Sequence, residues 1–408
     1  MKFSKPTLLC PAKLVLLVLW AGSSLQVDAQ FAVRAAQDFD NERIQVGAER
    51  MEEYLPLLAD KRVAVVTNQT GMVGAVHLID TLLSRGVKIK KVFAPEHGFR
   101  GAADAGEHVS NSVDKATGLP IISLYGSQKK PSQEMLEDVD VILFDIQDVG
   151  VRFYTYISTM HYCMEAAAKC GKQMLVLDRP NPNGFYVDGP IMEEEHRSFV
   201  GMHPIPLVHG LTVGELAKMI NGEGWLKDGL KCVLTVISCG GYRHDMFYSL
   251  PVTPSPNLPN MTAVYLYPSL GLFEGTDVSV GRGTDFPFQC IGHPDLTIGT
   301  FTFTPKPTSG ASNPPHKGMV CKGFDLRKFG SFYFRDTRGV HLEWLLGCYE
   351  NRKGQVFFND FFTKLAGTGK LRSQIESGAT GVDIKRSWAA GLKDYRELRG
   401  KYLLYPEK

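Results

Sequence analysis

A glutamate follows a strand at the start of a tight turn in Phe93-Ala94-Pro95-Glu96-His97-Gly98-Phe99-Arg100-Gly101. The β-type run 87–93 leads into Pro95, the Glu-His pair follows at once, and two glycines let the backbone turn sharply behind it. Ligands of open parallel sheets bind where strands end at their carboxyl side, so a carboxylate there is placed for chemistry. The chemistry it suggests is acid/base cleavage of a sugar. Glycoside hydrolysis uses one carboxylic acid to protonate the leaving oxygen. A second group, roughly 5–10 Å away, handles water or stabilises the cation. Candidates are Glu96, Asp145, Asp148, Asp178, Glu274 and Asp277. Glu96 ranks first because Pro95 fixes its approach and His97 and Arg100 can tune its proton affinity. Asp148 and Glu274 follow, whereas Asp145 and Asp178 also suit carboxylates that bond backbone amides at strand ends. The plainer alternative for Glu96 is an ion pair with Arg100 or a turn cap.

The elements that must position these groups alternate regularly. Strands are expected at 62–66, 88–93, 121–124, 141–146 and 173–177, with helices at 77–84 and 155–169. Apolar strands alternating with helices indicate an α/β chain with a Rossmann-like parallel sheet. Polar residues gather at the strand ends: Asn68 and Gln69, then Glu96 and His97, then Asp145, Gln147, Asp148 and Arg152, then Asp178 and Arg179. Parallel strands put all these ends on one edge, so the groups should converge. Arg152-Phe153-Tyr154-Thr155-Tyr156 sets a cation beside aromatic faces, which suits a sugar carrying an acid group, although aromatics are also common core residues.

The pattern changes near residue 190, which divides the chain into a catalytic α/β domain at 30–189 and a second, mixed α/β domain at 190–408. Thr212-Val213-Gly214-Glu215 matches a capping box opening a helix to about Gly222. A strand is expected at 232–237, an extended proline-rich connection at 251–260, and a dense loop-rich stretch at 261–295. That stretch contains Glu274, Asp277 and Gly281-Arg282-Gly283-Thr284, where glycines permit close approach to a ligand and the arginine can grip a carboxylate. Strands at 301–308 and 318–325 and helices at 342–349 and 374–392 should close the core.

Other chemistries find little support. No phosphate-binding glycine motif follows the first strand, no His-Glu-x-x-His or Gly-x-Ser-x-Gly is present, and the histidines lack ligand spacing, so neither metal nor cofactor is expected. Lys2, Lys5 and Lys13 flank an apolar run at 14–20, and Val27-Asp28-Ala29 fits a signal-peptidase site. The run is short for a membrane span, so residues 1–29 read as a signal peptide of an exported protein, periplasmic or secreted, without a stable membrane anchor. Removing them takes away three Lys and one Asp and brings the formal net charge from +2 to 0. That argues against a broad grip on nucleic acid or anionic membrane. The odd set of seven remaining cysteines suits buried thiols with at most one or two bridges.

Six blocks together resemble the NamZ-type exo-β-N-acetylmuramidases. They are Val66 to Gly71, Ala94 to Gly101, Phe144 to Tyr156, Leu177 to Pro182, Pro254 to Pro259, and Leu272 to Thr276 continuing through Gly281 to Thr284. The resemblance runs from about residue 45 to Pro406. It implies release of N-acetylmuramic acid from the non-reducing end of peptidoglycan fragments, with the site in a cleft between two domains. Glu96 is then the general acid, with Glu274 or Asp148 as partner, unless the 2-acetamido group of the substrate serves as nucleophile. Asn68, Gln69, His97, Arg100, Arg152 and Tyr154 are expected on the substrate, with Asp178, Arg179, Arg282 and Thr284 beside them. A muropeptide-binding protein on the same scaffold is the main competing expectation, and an amidase a weaker one.

Overall fold

Val63, Ala64, Val65 and Val66 are all fully buried, as a strand covered on both faces requires. In the computed structural model, which describes residues 44–96, 98, 99, 111–329 and 331–408, they form β1 (Arg62–Thr67). The leader, His97 and Arg100 lie outside the described residues. β1 is joined by β2 (Lys88–Ala94), β3 (Ser112–Val113), β4 (Pro120–Ser123), β5 (Val141–Asp145), β6 (Gln173–Leu177) and β7 (Val233–Ile237). The order across the seven-stranded sheet is β7-β6-β5-β1-β2-β4-β3. Every pairing is parallel except β3 with β4. Strand-end residues therefore share one edge, with Thr67 opposite Asp145. The edge strand β7 follows residue 190, so the sheet draws on both sides of that position.

Side-chain alternation sends Ala64, Val66, Ile142 and Phe144 into the core on one face and Val63, Val65, Val141 and Leu143 into the other. α1 (Met51–Leu58) and α2 (Leu78–Ser84) flank the sheet in sequence, and α3 (Tyr156–Lys169) follows β5. α4 (Val213–Gly222) opens on a true capping box: the Glu215 amide donates to Thr212 Oγ1 at 3.2 Å, and the Thr212 amide donates to Glu215 Oε2 at 2.9 Å.

The stretch expected to be loop-rich from 261 begins instead with a helix, α5 (Met261–Leu270), capped by Asn260 Oδ1 on the Ala263 amide at 3.0 Å. Residues 263 to 270 are all buried, so α5 shows no apolar stripe for a periodicity argument to find, and Pro268 disguises it further. Beyond it lies a three-stranded antiparallel sheet of β8 (Cys290–His293), β9 (Phe301–Phe303) and β10 (Cys321–Asp325), ordered β8-β10-β9. α6 (Phe361–Ala366) and α7 (Gly381–Gly400) bring the chain back. One apolar cluster runs from Phe93 and Phe144 through Phe273 to Trp388 and Leu392, tying the C-terminal part to the parallel sheet. All seven cysteines in the described residues are free, six of them buried.

A largely buried polar chain is centred on α3. Lys130 Nζ donates to Glu165 Oε2 at 2.5 Å and the Lys227 amide to Oε1 at 2.9 Å. His161 Nε2 meets the same oxygen at 3.1 Å, and its Nδ1 lies 3.0 Å from His203 Nε2. Burial alone would raise the Glu165 carboxyl, but these donors outweigh it and hold it at about 2, below the ordinary 4.5. The unfolded chain then takes up that proton at higher pH than the folded one. The contribution to stability is full above about pH 4.5 and is lost as pH falls towards 2. Glu165→Gln should destabilise the fold at neutral pH, with the gap to wild type closing as urea melts are taken below about pH 4.5. A gap independent of pH would contradict this account.

Candidate active site

A cavity of about 450 Å³ opens at the carboxyl edge of the parallel sheet. The turn after β2 supplies Glu96 and the loop after β4 supplies Tyr125 and Lys129. The segment after β5 supplies Phe153, Tyr154 and Thr155. The proline-rich connection adds Ser255 and Asn257, α5 adds Tyr267, and the turns beyond it add Glu274, Arg282 and Phe288. α6 closes the remaining side with Phe361, Lys364 and Leu365. Its floor is aromatic: Phe153 meets Tyr267 edge-on at 5.1 Å, and Tyr267 meets Phe288 edge-on at 5.0 Å.

Among the described residues two carboxylates face this space. Glu96 is partly buried and accepts from Thr155 Oγ1 at 2.7 Å, which ties the end of β2 to the start of α3. Glu274 Oε1 accepts from Arg282 Nε at 2.7 Å, with Nη2 also at 2.7 Å, and the guanidinium carbon sits 5.0 Å from the centre of the Phe288 ring. Glu274 reaches this position because Gly275 packs against the backbone of Phe362, where a Cβ would lie 2.3 Å from its Cα. Burial drives the phenols of Tyr154, Tyr156 and Tyr267 upward, and neighbouring carboxylates add to it. Glu96 and Asp148 act on Tyr156, and Glu274, Glu96 and Asp148 on Tyr267. These phenols are neutral hydrogen-bond donors.

Asp148 is buried and is not part of the cavity lining. Its Oδ2 accepts from the Gly150 amide at 2.7 Å and faces His209 Nε2 at 3.5 Å. Asn68 and Gln69 support the wall from behind. Asn68 Oδ1 accepts from the Thr70 amide and hydroxyl, and Gln69 Nε2 donates to the carbonyls of Thr253 and Pro254 at 3.1 Å. Tyr154 also donates to Pro254 O at 2.8 Å, so the proline-rich connection is pinned where Ser255 and Asn257 enter the cavity.

The remaining arginines are engaged elsewhere. Arg179 grips Asp145 through two hydrogen bonds of 2.6 and 2.8 Å, both side chains being buried at the sheet edge. Asp178 accepts from Thr212 Oγ1, the Gly214 amide and Tyr405 Oη, and burial raises its carboxyl to about 6. Thr284 closes its own turn on the Gly281 carbonyl. Arg152 is fully buried and donates to four carbonyls: Pro190, Ile205, Leu365 and Ala366. It lies outside the cavity lining, where the sequence suggested a cation for a substrate acid group.

Two family models cover nearly all of this architecture. The N-terminal model of the exo-β-N-acetylmuramidase NamZ matches residues 63–262, and the C-terminal model of the same family matches residues 265–405. The chain belongs to the NamZ exo-β-N-acetylmuramidase family. It is 38% identical over 399 residues to the peptidoglycan β-N-acetylmuramidase NamZ of Bacillus subtilis (strain 168), covering 92% of this chain and 95% of that protein. Two crystal structures of DUF1343 family proteins from Bacteroides fragilis NCTC 9343 share the fold. One superposes with a TM-score of 0.83 at 46% identity, covering 90% of this chain and 99% of its own. The other has a TM-score of 0.75 at 30% identity, covering 89% and 99%.

Within this NamZ-family fold, Glu96, Tyr154, Glu274 and Arg282 come together at the cavity as the sequence suggested. His97 and Arg100 lie outside the described residues. Sequence reasoning passed over Lys129, Phe199, Tyr267 and Lys364, all on the cavity wall. Lone lysines and aromatics carry no spacing signal; the loop after β4, residue 199, α5 and α6 bring them in from four separate parts of the chain. The Arg152 geometry gives a direct test. Each orphaned buried carbonyl costs about 1–3 kcal/mol. Arg152→Met should therefore lower stability in urea melts by at least about 3 kcal/mol. Unchanged stability with a raised KM for an acidic substrate would assign Arg152 to the ligand instead.

Proposed function

We propose that this chain is an exported, exo-acting glycoside hydrolase that releases N-acetylmuramic acid from the non-reducing end of peptidoglycan fragments. Membership of the NamZ family supports the reaction class, and the basic-then-apolar leader with its cleavage pattern supports action in the wall compartment. The observation that carries the residue assignment is the partly buried Glu96 on the cavity wall, with Thr155 Oγ1 donating to its Oε2.

In this reading Glu96 gives its proton to the glycosidic oxygen as the bond from C1 breaks, so the leaving sugar departs as a neutral alcohol. Positive charge develops at C1 and the ring oxygen. A water molecule then adds at C1 and yields its proton to the site, which restores the acid. Glu274 has one oxygen held by Arg282, which fits a group that orients the 2-acetamido arm and steadies the developing charge. The aromatic floor of Phe153, Tyr267 and Phe288 supplies an apolar bed for a pyranose face.

Glu96→Gln keeps the shape of the side chain and removes the proton. Turnover of the disaccharide N-acetylmuramyl-β-1,4-N-acetylglucosamine should fall by about 10²–10⁴ in this variant. Affinity for N-acetylmuramic acid, measured calorimetrically, should stay within a few-fold. Full turnover in Glu96→Gln would remove Glu96 from the chemistry. Wild-type protein that binds the sugar and cleaves nothing would identify a binding protein.

A further inference from the structure

Among the described residues three cations reach the cavity, and one of them has a carboxylate. Arg282 is neutralised by Glu274 at 2.7 Å. Lys129 and Lys364 line the same space, and neither forms an ion pair or hydrogen bond among the described residues. Lys129 is partly buried, with its Nζ 4.5 Å from the centre of the Phe199 ring. That ring is itself backed by Tyr162, stacked at 6.1 Å and 12°. An aromatic face steadies an ammonium group without neutralising it. Lys130, the next residue, is anchored to Glu165, so the loop carrying Lys129 is held in place. Lys364 stands exposed at the rim on α6, next to Leu365, whose carbonyl is fixed by Arg152. Both lysines therefore sit on anchored backbone with their charges unmatched.

We propose that Lys129, assisted by Lys364 at the rim, binds the carboxylate of the 3-O-lactyl ether and so makes the site prefer N-acetylmuramic acid to N-acetylglucosamine. The proposal rests on the muramidase reading above, since those two sugars differ by that ether alone. Its sign follows from the lysines: neither has an acid partner among the described residues, and an anionic substituent on the sugar supplies one. Lys129 carries the larger share because it is shielded from solvent, whereas the exposed Lys364 is screened by salt. A point charge on a flexible stem suits a lactyl group that can rotate about its ether bond.

The test is calorimetric binding of N-acetylmuramic acid and of its lactyl amide to the full chain, as wild type, Lys129→Met, Lys364→Met and the double variant. Wild type should bind the acid at least about 10-fold more tightly than the amide, as a charge-assisted hydrogen bond requires. Lys129→Met should remove most of that preference and the double variant all of it, with amide affinity unchanged throughout. Preference surviving in the double variant overturns the proposal, as does a wild type that favours neither ligand or binds neither. Cleavage of the muramyl disaccharide is scored separately on the same proteins. An intact acid preference without cleavage rejects the hydrolase and keeps the carboxylate subsite.

Discussion

The cavity depends on one buried guanidinium. Arg152 follows β5 and gathers carbonyls from Pro190, in a short strand at Asp188–Ile191, from Ile205, just before its antiparallel partner Pro206–Val208, and from Leu365 and Ala366 at the end of α6. Burial pushes it down to about 9 with no carboxylate among its partners, so these carbonyl dipoles alone compensate its charge at neutral pH. Gly367 adopts a left-handed φ of 70° just beyond α6, and a Cβ there would lie 2.6 Å from an Arg152 nitrogen. The helix end must be bare to approach the clamp, and the clamp in turn fixes the side of the cavity that carries Phe361, Lys364 and Leu365.

A second set of contacts shapes the opposite wall. Gln69 and Tyr154 converge on the carbonyl of Pro254, so residues that follow two different strands hold one proline-rich segment. Proline suits that role because its fixed φ lowers the entropy lost on ordering a long connection. Glu96 and Thr155 then link the end of β2 to the start of α3 through a side-chain hydrogen bond. Rigid strand ends, a pinned connection and a clamped helix leave a preformed space whose described ionisable groups differ in environment: Glu274 with an arginine, Glu96 beside a hydroxyl, and two lysines with no acid partner among the described residues.

The parallel sheet was legible because its strands are apolar runs separated by helix-length segments, and Glu96 because a strand, a proline and a glycine turn surround it. α5 was not legible, since a helix buried on every side has no stripe. Arg152 was misleading for a physical reason: an arginine among aromatics looks the same in sequence whether it faces a ligand or four carbonyls, and only burial separates the two. Lys129 and Lys364, more than 200 positions apart, meet at the cavity through long-range packing that no local pattern encodes. β7 joined the first sheet from beyond the expected change of domain because strand pairing follows space and not chain order.

The most direct test of the account is the dependence of Glu96→Gln on the leaving group, measured as kcat/KM for a series of aryl and alkyl β-N-acetylmuramides. A general acid matters most when the departing oxygen is basic. A small loss is expected with para-nitrophenol as leaving group and a loss approaching about 10⁴ with an alkyl or sugar alcohol. The same fold-loss across the whole series would contradict it, because Glu96 would then be holding the substrate or the fold and not giving up a proton.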